Sequence, residues 1–225
     1  MRRGKRHLRR KRIKVNRKKR SVYIQNISNL PVSVTQVETA IPVFIGYTQK
    51  ARLKEAGDLL NVPKRLSSII EYRQFFGGAD PEKGITINVD SQKNPVEMNH
   101  DIADPSNYLM FYSLQAYYLN GGGPCYIVSV GDSSSGGLIS KVALLDGLKE
   151  ADKVDEITLI VYPDGTNISA PADYYAIVKQ ALFQCNKLKD RFTVCDVYMH
   201  NDPAINDIDI FRNTLAGSLN ELKYG

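Results

Sequence analysis

The last third of the chain alternates between helix-like and strand-like segments, and this pattern limits the fold more than any other feature. Apolar periodicity predicts helices over 138–151, 171–188 and 205–219, with strands over 157–162 and 192–198 between them. Strands that are separated by single helices pair in parallel through right-handed crossovers. The sequence therefore predicts an α/β fold (α+β over the whole chain), in which a mixed sheet is flanked by helices.

Strand signals also occur earlier in the chain. The nearly continuous apolar run Ile41–Tyr47 predicts a strand that is buried on both faces. Cys125–Val130 predicts another strand, followed by a flexible Ser/Gly linker over 131–137. The stretch 79–104 is rich in Pro, Asp, Asn and Gly, which predicts a long loop with a short hairpin around Ile85–Val89.

Two helices are predicted between these strands. Ser67 is expected to cap a short helix that has Glu71 in its first turn and ends at Gly77-Gly78. A second helix is expected over 107–120, and the glycines that follow it end it. Its apolar face is predicted to consist of Leu109, Tyr112, Leu114, Ala116, Tyr117 and Leu119.

The net charge of +6 is divided unevenly along the chain. Residues 1–20 hold 13 of the 30 Lys and Arg residues, which leaves 17 basic against 24 acidic residues in the rest. A block of like charges is expected to be a disordered tail. Because it has no aromatic side chains that stack on bases, we expect a non-specific contact with nucleic acid or an anionic membrane surface.

No segment approaches the roughly 18 uninterrupted apolar residues that a membrane-spanning helix needs. The basic N-terminus is not followed by the apolar run of a secretory signal. Membrane insertion is therefore not expected.

Residues 22–37 alternate between apolar and polar side chains, which is typical of a half-buried strand or an extended arm. The apolar positions are Val22, Tyr23, Ile24, Ile27, Val32, Val34 and Val37. We expect an extended N-terminal arm here.

The triplet Gly121-Gly122-Gly123 is the segment most similar to a phosphate-binding loop. Such loops follow a strand and precede a helix, so that free N–H groups at the start of the helix face the anion. Here a predicted helix precedes the glycines and a strand follows them, so the unpaired groups nearby are carbonyls. The triplet therefore predicts the end of a helix and a tight turn.

Asp164 and Asp196 are the remaining candidates for chemistry. Each lies toward the carboxyl end of a predicted parallel strand, where α/β sheets bind ligands, and two carboxylates there can hold a divalent metal. Pro163-Asp164-Gly165 is also an ordinary turn sequence, and no His, Lys or Ser nucleophile stands at a matching position. A turn is the favoured interpretation for Asp164, and Asp196 lies within the strand pattern Cys195–Tyr198.

The three cysteines are an odd number without a close pair, which predicts buried, reduced thiols. They are Cys125, Cys185 and Cys195.

The three histidines lie in polar segments and have no second ligand at metal-binding spacing, which predicts exposed side chains. They are His7, His100 and His200. No catalytic residue, cofactor site or metal site is predicted.

An ordered set of short segments runs through residues 21–225. Its members are Val22-Tyr23-Ile24 with Ile27, Val34–Tyr47, Tyr72–Gly78, Tyr117–Val130, Ile160–Asp164, and Phe211-Arg212 through Leu222–Gly225. Each segment alone is common, but the set in this order is specific. It resembles the tail sheath family of contractile phages and of related bacterial contractile injection systems.

The resemblance implies a structural subunit that is not an enzyme and has no cofactor. Such a subunit assembles in the cytoplasm with other sheath subunits into a helical tube, as part of a phage tail or tail-like particle. The tube surrounds an inner tube protein, joins baseplate proteins, and contracts to drive the inner tube into a target. N-terminal and C-terminal arms add strands to neighbouring sheets in this family. The residues that match the N-terminal arm are Val22, Tyr23, Ile24, Ile27, Val32 and Val34.

The chain departs from the family's pattern at both ends. Family members commonly have Pro-Gly before the Val-Tyr-Ile pattern, where this chain has Lys18-Lys19-Arg20-Ser21. They normally continue past the position of Gly225 into a strand, a terminal helix and the C-terminal arm. We therefore expect an incomplete sheath core that lacks part of the linkage between subunits.

Four parts are expected along the chain. They are a basic tail over 1–20, the arm with the first core strand over 21–47, a loop-rich sheath region over 48–130, and an α/β core domain over 138–225. Two other functions are the alternatives: a nucleic-acid-binding protein acting through the tail, and a small α/β nucleotide- or metal-binding module.

Overall fold

Strand β1 (Pro42–Thr48) is the central strand of a five-stranded sheet. The structure is a computed structural model that describes residues 40–81, 85–100, 105–200, 202, 204–218 and 222–225. All of these residues belong to one compact unit. Every residue of β1 is buried. The prediction of a strand buried on both faces is confirmed, because Val43 and Phe44 belong to different apolar clusters.

Four other strands complete the sheet: β2 (Lys64–Leu66), β5 (Cys125–Asp132), β6 (Leu159–Val161) and β7 (Phe192–Thr193). The spatial order is β2-β5-β1-β6-β7. β1 pairs in parallel with β5 and β6, β6 pairs in parallel with β7, and β2 is antiparallel to β5. A mixed sheet with parallel crossovers confirms the predicted α/β fold.

The described residues form five α-helices: α1 (Ile69–Phe76), α2 (Met110–Leu119), α3 (Lys141–Ala151), α4 (Pro171–Leu188) and α5 (Asp207–Leu215). α4 has the predicted bounds, because Pro171 occupies its first turn and Lys189 ends it with a φ of 62°. α3 and α5 begin later than predicted, since Ser140 and Asn206 cap them. Over the described ranges, no helix is long and apolar enough to cross a membrane.

Different helices cover the two faces of the sheet. Successive residues of a strand point to opposite faces, so Val43 and Ile45 lie on one face and Phe44 on the other. Val43 and Ile45 pack in a cluster with side chains of α3, α4 and α5, and we name this the α3–α4 face. Phe44 packs with side chains of α1 and α2, and we name this the α1–α2 face.

A β-hairpin forms a separate two-stranded sheet from β3 (Ile85–Val89) and β4 (Pro95–His100). Ile87 pairs with Met98, and the register shifts at Val89. The hairpin predicted around Ile85–Val89 is confirmed.

The cap of α1 differs by one residue from the prediction. Ser68, not Ser67, is the N-cap, and its Oγ accepts the Glu71 N–H at 3.2 Å. The Glu71 carboxylate in turn accepts the Ser67 N–H at 2.7 Å. Both serines therefore contribute to the start of the helix, and Gly77 ends it with a φ of 89°.

The predicted linker over 131–137 is wrong. β5 continues through Asp132, whose Oδ1 accepts the Ser134 N–H at 2.8 Å and begins a 3₁₀ turn over Ser133–Ser135. The strands predicted over 157–162 and 192–198 are shorter, at three and two residues. β6 pairs with β1 only over Pro42–Phe44, although β1 continues to Thr48, and β7 pairs with β6 at two positions.

The apolar face predicted for α2 is only partly right. The helix buries Met110, Phe111 and Leu114, whereas Leu119 is 80% exposed. Nearly every position of this helix is apolar, so the period alone does not say which side faces the core.

Candidate functional site

The predicted arm residues lie outside the residues that the structure describes. They are Val22, Tyr23, Ile24, Ile27, Val32 and Val34, and the basic tail 1–20 lies there as well. Their role stays a prediction.

In the part of the chain that the structure describes, side chains of α1 and α2 bury Phe44 and Ile127 on the α1–α2 face, whereas the β6 and β7 side chains on this face are only partly covered. Register places Leu159 and Val161 beside Pro42 and Phe44, and Phe192 beside Leu159. Leu159 and Val161 are half-buried, Phe192 is 54% exposed and Val194 is 42% exposed. We name these four residues the β6–β7 patch. Over the described ranges, these side chains form an apolar sheet surface that is partly exposed to solvent.

A groove of about 440 Å³ lies between α2 and this patch. Its floor contains Phe44, Leu159 and Val161, and Ser113 and Asn120 lie on its helical wall. None of the lining residues is charged. The groove and the patch therefore form one apolar, uncharged surface that is suited to a protein segment.

β7 lies at the edge of the sheet. The N–H groups of Phe192 and Val194 donate to Thr158 O and Ile160 O, each at 2.9 Å. In an extended strand the alternate N–H groups point the other way, so that of Thr193 faces away from β6. The Tyr224 ring lies 6.1 Å from the Phe192 ring, and Gly225 lies beside the Thr193 carbonyl. The last described residues therefore pack against this edge.

Asp164 is fully buried and joins three parts of the fold. Its Oδ2 accepts the Tyr47 N–H at the end of β1 (2.7 Å). Its Oδ1 accepts the N–H groups of Leu109 (2.6 Å) and Met110 (3.2 Å) at the start of α2. The N-cap residue of α2, Leu109, supplies no side-chain cap, so a carboxylate distant in sequence takes that role.

Two opposing effects act on the pKa of Asp164. Burial disfavours the charged carboxylate, whereas the three N–H donors favour it. Burial is the larger effect and raises the pKa to about 6 from the ordinary 3.8. Gly46 packs so closely that a Cβ there would lie 2.4 Å from Asp164 Oδ2. This crowding agrees with a structural role.

The two candidate aspartates have different surroundings. Asp196 is exposed, and its backbone N–H and C=O both bond the Tyr174 hydroxyl, at 2.9 and 3.0 Å. Asp164 is instead fully buried, and its side chain accepts three backbone N–H groups. Within the described ranges, no group of three or more His, Cys, Asp or Glu residues is placed to hold a metal. The turn interpretation of Asp164 becomes more specific: it is a buried acceptor that fixes α2.

A second cavity, of about 400 Å³, lies at the carboxyl ends of β1 and β5. Its lining includes Lys50, Arg52 and Gly57, yet the N–H groups of all three donate to backbone carbonyls. These N–H groups are therefore not free to bind phosphate. The glycine triplet ends α2 as predicted, since Gly121 has a φ of 83° and Gly122 N–H donates to Tyr117 O at 2.9 Å.

The cysteine prediction holds for two of the three residues. Cys125 and Cys185 are buried and Cys195 is half-buried, and all three thiols are free. Burial raises the pKa of the Cys125 thiol to about 11 and that of Cys185 to about 12. Such thiols are poor nucleophiles at neutral pH.

His200 differs from the predicted exposed side chain. It is partly buried, and its Nδ1 lies 2.5 Å from Asp207 Oδ1 at the start of α5. The His200 N–H also donates to Asp207 Oδ2 at 3.1 Å. The pair therefore fixes the segment after β7 to α5. The two residues are seven positions apart and form no metal-binding motif, so the sequence did not indicate this contact.

No family model and no curated protein matches the chain. Among solved structures, the chain is similar to a cryo-EM structure of the anti-feeding prophage helical sheath in the contracted state, with 23% identity over 82% of this chain and a TM-score of 0.42. It is also similar to the six-fold symmetrised anti-feeding prophage baseplate, with 26% identity over 78% and a TM-score of 0.39. The chain spans 41% and 40% of those chains. At TM-scores this low, neither likeness establishes a function for this chain.

Proposed function

We propose that the chain is a structural subunit of a contractile tail sheath. It associates with copies of itself in a helical tube around an inner tube, and the tube contracts to drive the inner tube into a target. Its work is self-assembly and rigid-body movement, not bond chemistry.

The main support for this proposal is the position in the fold of the segments that resemble the sheath family. Those segments are far apart in sequence, but three of them supply the adjacent strands β5, β1 and β6. The last residue of the Ile160–Asp164 segment accepts an N–H from Tyr47 in another segment. These three segments therefore form one connected framework, as expected if they reflect a common architecture.

The β6–β7 patch supports a role in assembly. A parallel sheet is ordinarily covered on both faces, because its strands are apolar on both sides. Here Phe192 and Val194 are exposed on one face, and the β6 side chains Leu159 and Val161 beside them are half-buried. An exposed apolar surface of this kind, beside a groove lined by uncharged residues, is typical of a protein interface.

The arm residues Val22, Tyr23, Ile24, Ile27, Val32 and Val34 are proposed to add a strand to the sheet of a neighbouring copy. The inner tube protein and baseplate proteins are the other proposed partners. Assembly in the cytoplasm and the division into an arm, a loop-rich region and a core domain are parts of the same proposal.

Immunogold electron microscopy of lysate from the source cells tests the proposal, with an antibody raised against residues 138–225. We expect gold along the length of striated tubes, in long narrow and short wide forms. Antibody that has been absorbed with the purified chain is the control. Gold that avoids the tubes, in cells that contain both tubes and the chain, would contradict the proposal.

A further inference from the structure

The β3–β4 hairpin has one apolar face that is exposed in a single copy. Ile85, Ile87 and Val89 alternate along β3 and so share a face, and Met98 lies opposite Ile87. We name these four residues the hairpin face. Each of them is at least 50% exposed. The opposite face carries polar residues, which are Thr86, Asn88, Glu97 and Asn99.

A two-stranded hairpin is only marginally stable in water unless a third strand or another layer supports it. Apolar side chains on one face and polar ones on the other are the pattern of a strand pair that packs on a second layer. The hairpin face therefore has the properties of a contact surface.

The β6–β7 patch has matching properties. Both surfaces are two strands wide and apolar, and the groove beside the patch is lined by uncharged residues. Contact between them would bury no charge from the hairpin face, the patch or the groove lining. Both surfaces belong to the same compact unit, and within the described ranges the hairpin face and the Phe192 and Val194 part of the patch are exposed to solvent.

We propose that the hairpin face of one copy packs on the β6–β7 patch of a second copy, as two sheets pack face to face. The two surfaces differ, so each copy offers a free hairpin to one neighbour and a free patch to another. Contacts of this head-to-tail kind produce rings or helical polymers. The inference rests on the proposed self-assembly of the chain and names one contact within it.

The size of the surfaces limits the strength of one such contact. The hairpin face exposes roughly 400 Å², so the contact buries on the order of 800 Å² in total, less than the 1,200–2,000 Å² of a stable interface. Pairwise association is therefore weak, and it becomes effective when a subunit is held at several points.

Disulfide cross-linking of the full-length chain tests the pairing directly. Two variants, Ile87→Cys and Val194→Cys, are prepared with Cys195→Ser and mixed under mild oxidation. We expect a mixed dimer at least about fivefold more abundant than dimers in either variant alone. Val142→Cys is the matched control for Val194→Cys, because Val142 is 62% exposed but belongs to α3 on the other face of the sheet. Equal cross-linking to the Val142 variant, or dimers of the Ile87 variant alone, would overturn the pairing.

Sedimentation velocity separates failure of this contact from failure of the proposed function. Ile87→Asp should weaken self-association about tenfold, whereas Thr86→Asp, on the opposite face of the same strand, should leave it unchanged. If the chain associates but Ile87→Asp has no effect, the hairpin contact is wrong and self-assembly stands. If the unmodified chain is monomeric up to the highest concentration reached and the cysteine variants form no cross-links, both are wrong.

Discussion

The two faces of the central sheet are made by the same strands but are covered to different extents. On the α3–α4 face, Val43, Ile45 and Ile160 are fully buried. On the α1–α2 face, Phe44 is buried under α2, whereas Phe192 is 54% exposed. One face is complete within a single copy, and the other has an apolar area that remains in contact with solvent.

This difference separates the residues that stabilise a single copy from those that are available to a partner. Burial of apolar surface contributes to folding only where the structure already excludes water. Substitutions on the α3–α4 face should therefore lower the free energy of unfolding. Substitutions in the β6–β7 patch should change association and leave the fold almost unchanged.

Ile160→Ala should have the largest effect on stability. Ile160 is fully buried on the α3–α4 face, and its truncation leaves a cavity, so we expect a loss of about 3 to 4 kcal/mol in the free energy of unfolding. Urea unfolding at low protein concentration measures it. The neighbouring Leu159→Ala is the matched control on the other face, with an expected loss of about 1 kcal/mol. Equal losses would refute the difference between the faces.

Asp164→Ala should follow, because it leaves three N–H groups, two of them buried and one partly buried, without their acceptor. We expect a loss of about 3 kcal/mol, measured in the same way. Asp196 is exposed, so Asp196→Ala serves as the control with a change within about 0.5 kcal/mol. A stable Asp164→Ala variant would show that Asp164 does not fix α2 to the sheet.

The raised pKa of Asp164 predicts a dependence of stability on pH. The carboxyl loses its proton near pH 3.8 in the unfolded chain and near 6 in the folded chain, so the folded chain holds more protons between these values. Its contribution to stability is therefore greatest below pH 3.8 and is lost as the pH rises through 6, by about 3 kcal/mol.

Asp164→Asn isolates this effect, because the amide has a similar shape and does not titrate. The free energy of unfolding of the unmodified chain, minus that of the Asn variant, should fall between pH 4 and pH 7. A difference that is independent of pH would mean that the N–H donors offset the effect of burial on the pKa.

Ser68→Ala should have a smaller effect, because it removes the N-cap of α1 on the α1–α2 face. We expect a loss of about 1 kcal/mol. Ser67→Ala retains the backbone N–H that Glu71 accepts, so it should cost less. The reverse order would restore Ser67 as the cap.

Phe192→Ser should have the smallest effect on stability, within about 0.5 kcal/mol, because more than half of the side chain is in solvent. The same substitution should reduce association in sedimentation velocity. A loss as large as that of Ile160→Ala would mean that the patch belongs to the core of a single copy.

Local signals predicted the elements with strong patterns. The run Ile41–Tyr47 is apolar at nearly every position, and such a run can only be buried on both faces. The apolar period over 171–188 predicted α4, and Pro171 in its first turn suits the start of a helix.

Features that depend on distant contacts could not be predicted in this way. The central place of β1 between β5 and β6 is set by three-dimensional packing, and β2 is too short to give a strand signal. The role of Asp164 requires N–H groups from Tyr47 and Leu109, which are more than 50 residues away. Its Pro-Asp-Gly context indicated only a turn. The β6–β7 patch could not be recognised, because an exposed apolar strand and a buried one have the same pattern.

Hydrogen exchange measured by mass spectrometry tests most directly whether the incompletely covered face is the one used in assembly. The chain would be compared as a dilute monomer and within tubes isolated from the source cells. If the chain assembles as proposed, peptides that span 85–99 and 190–196 should exchange more slowly in the tubes than in the monomer. Peptides over 141–151 on the α3–α4 face should change little. Protection confined to 141–151, with 190–196 unchanged, would contradict it.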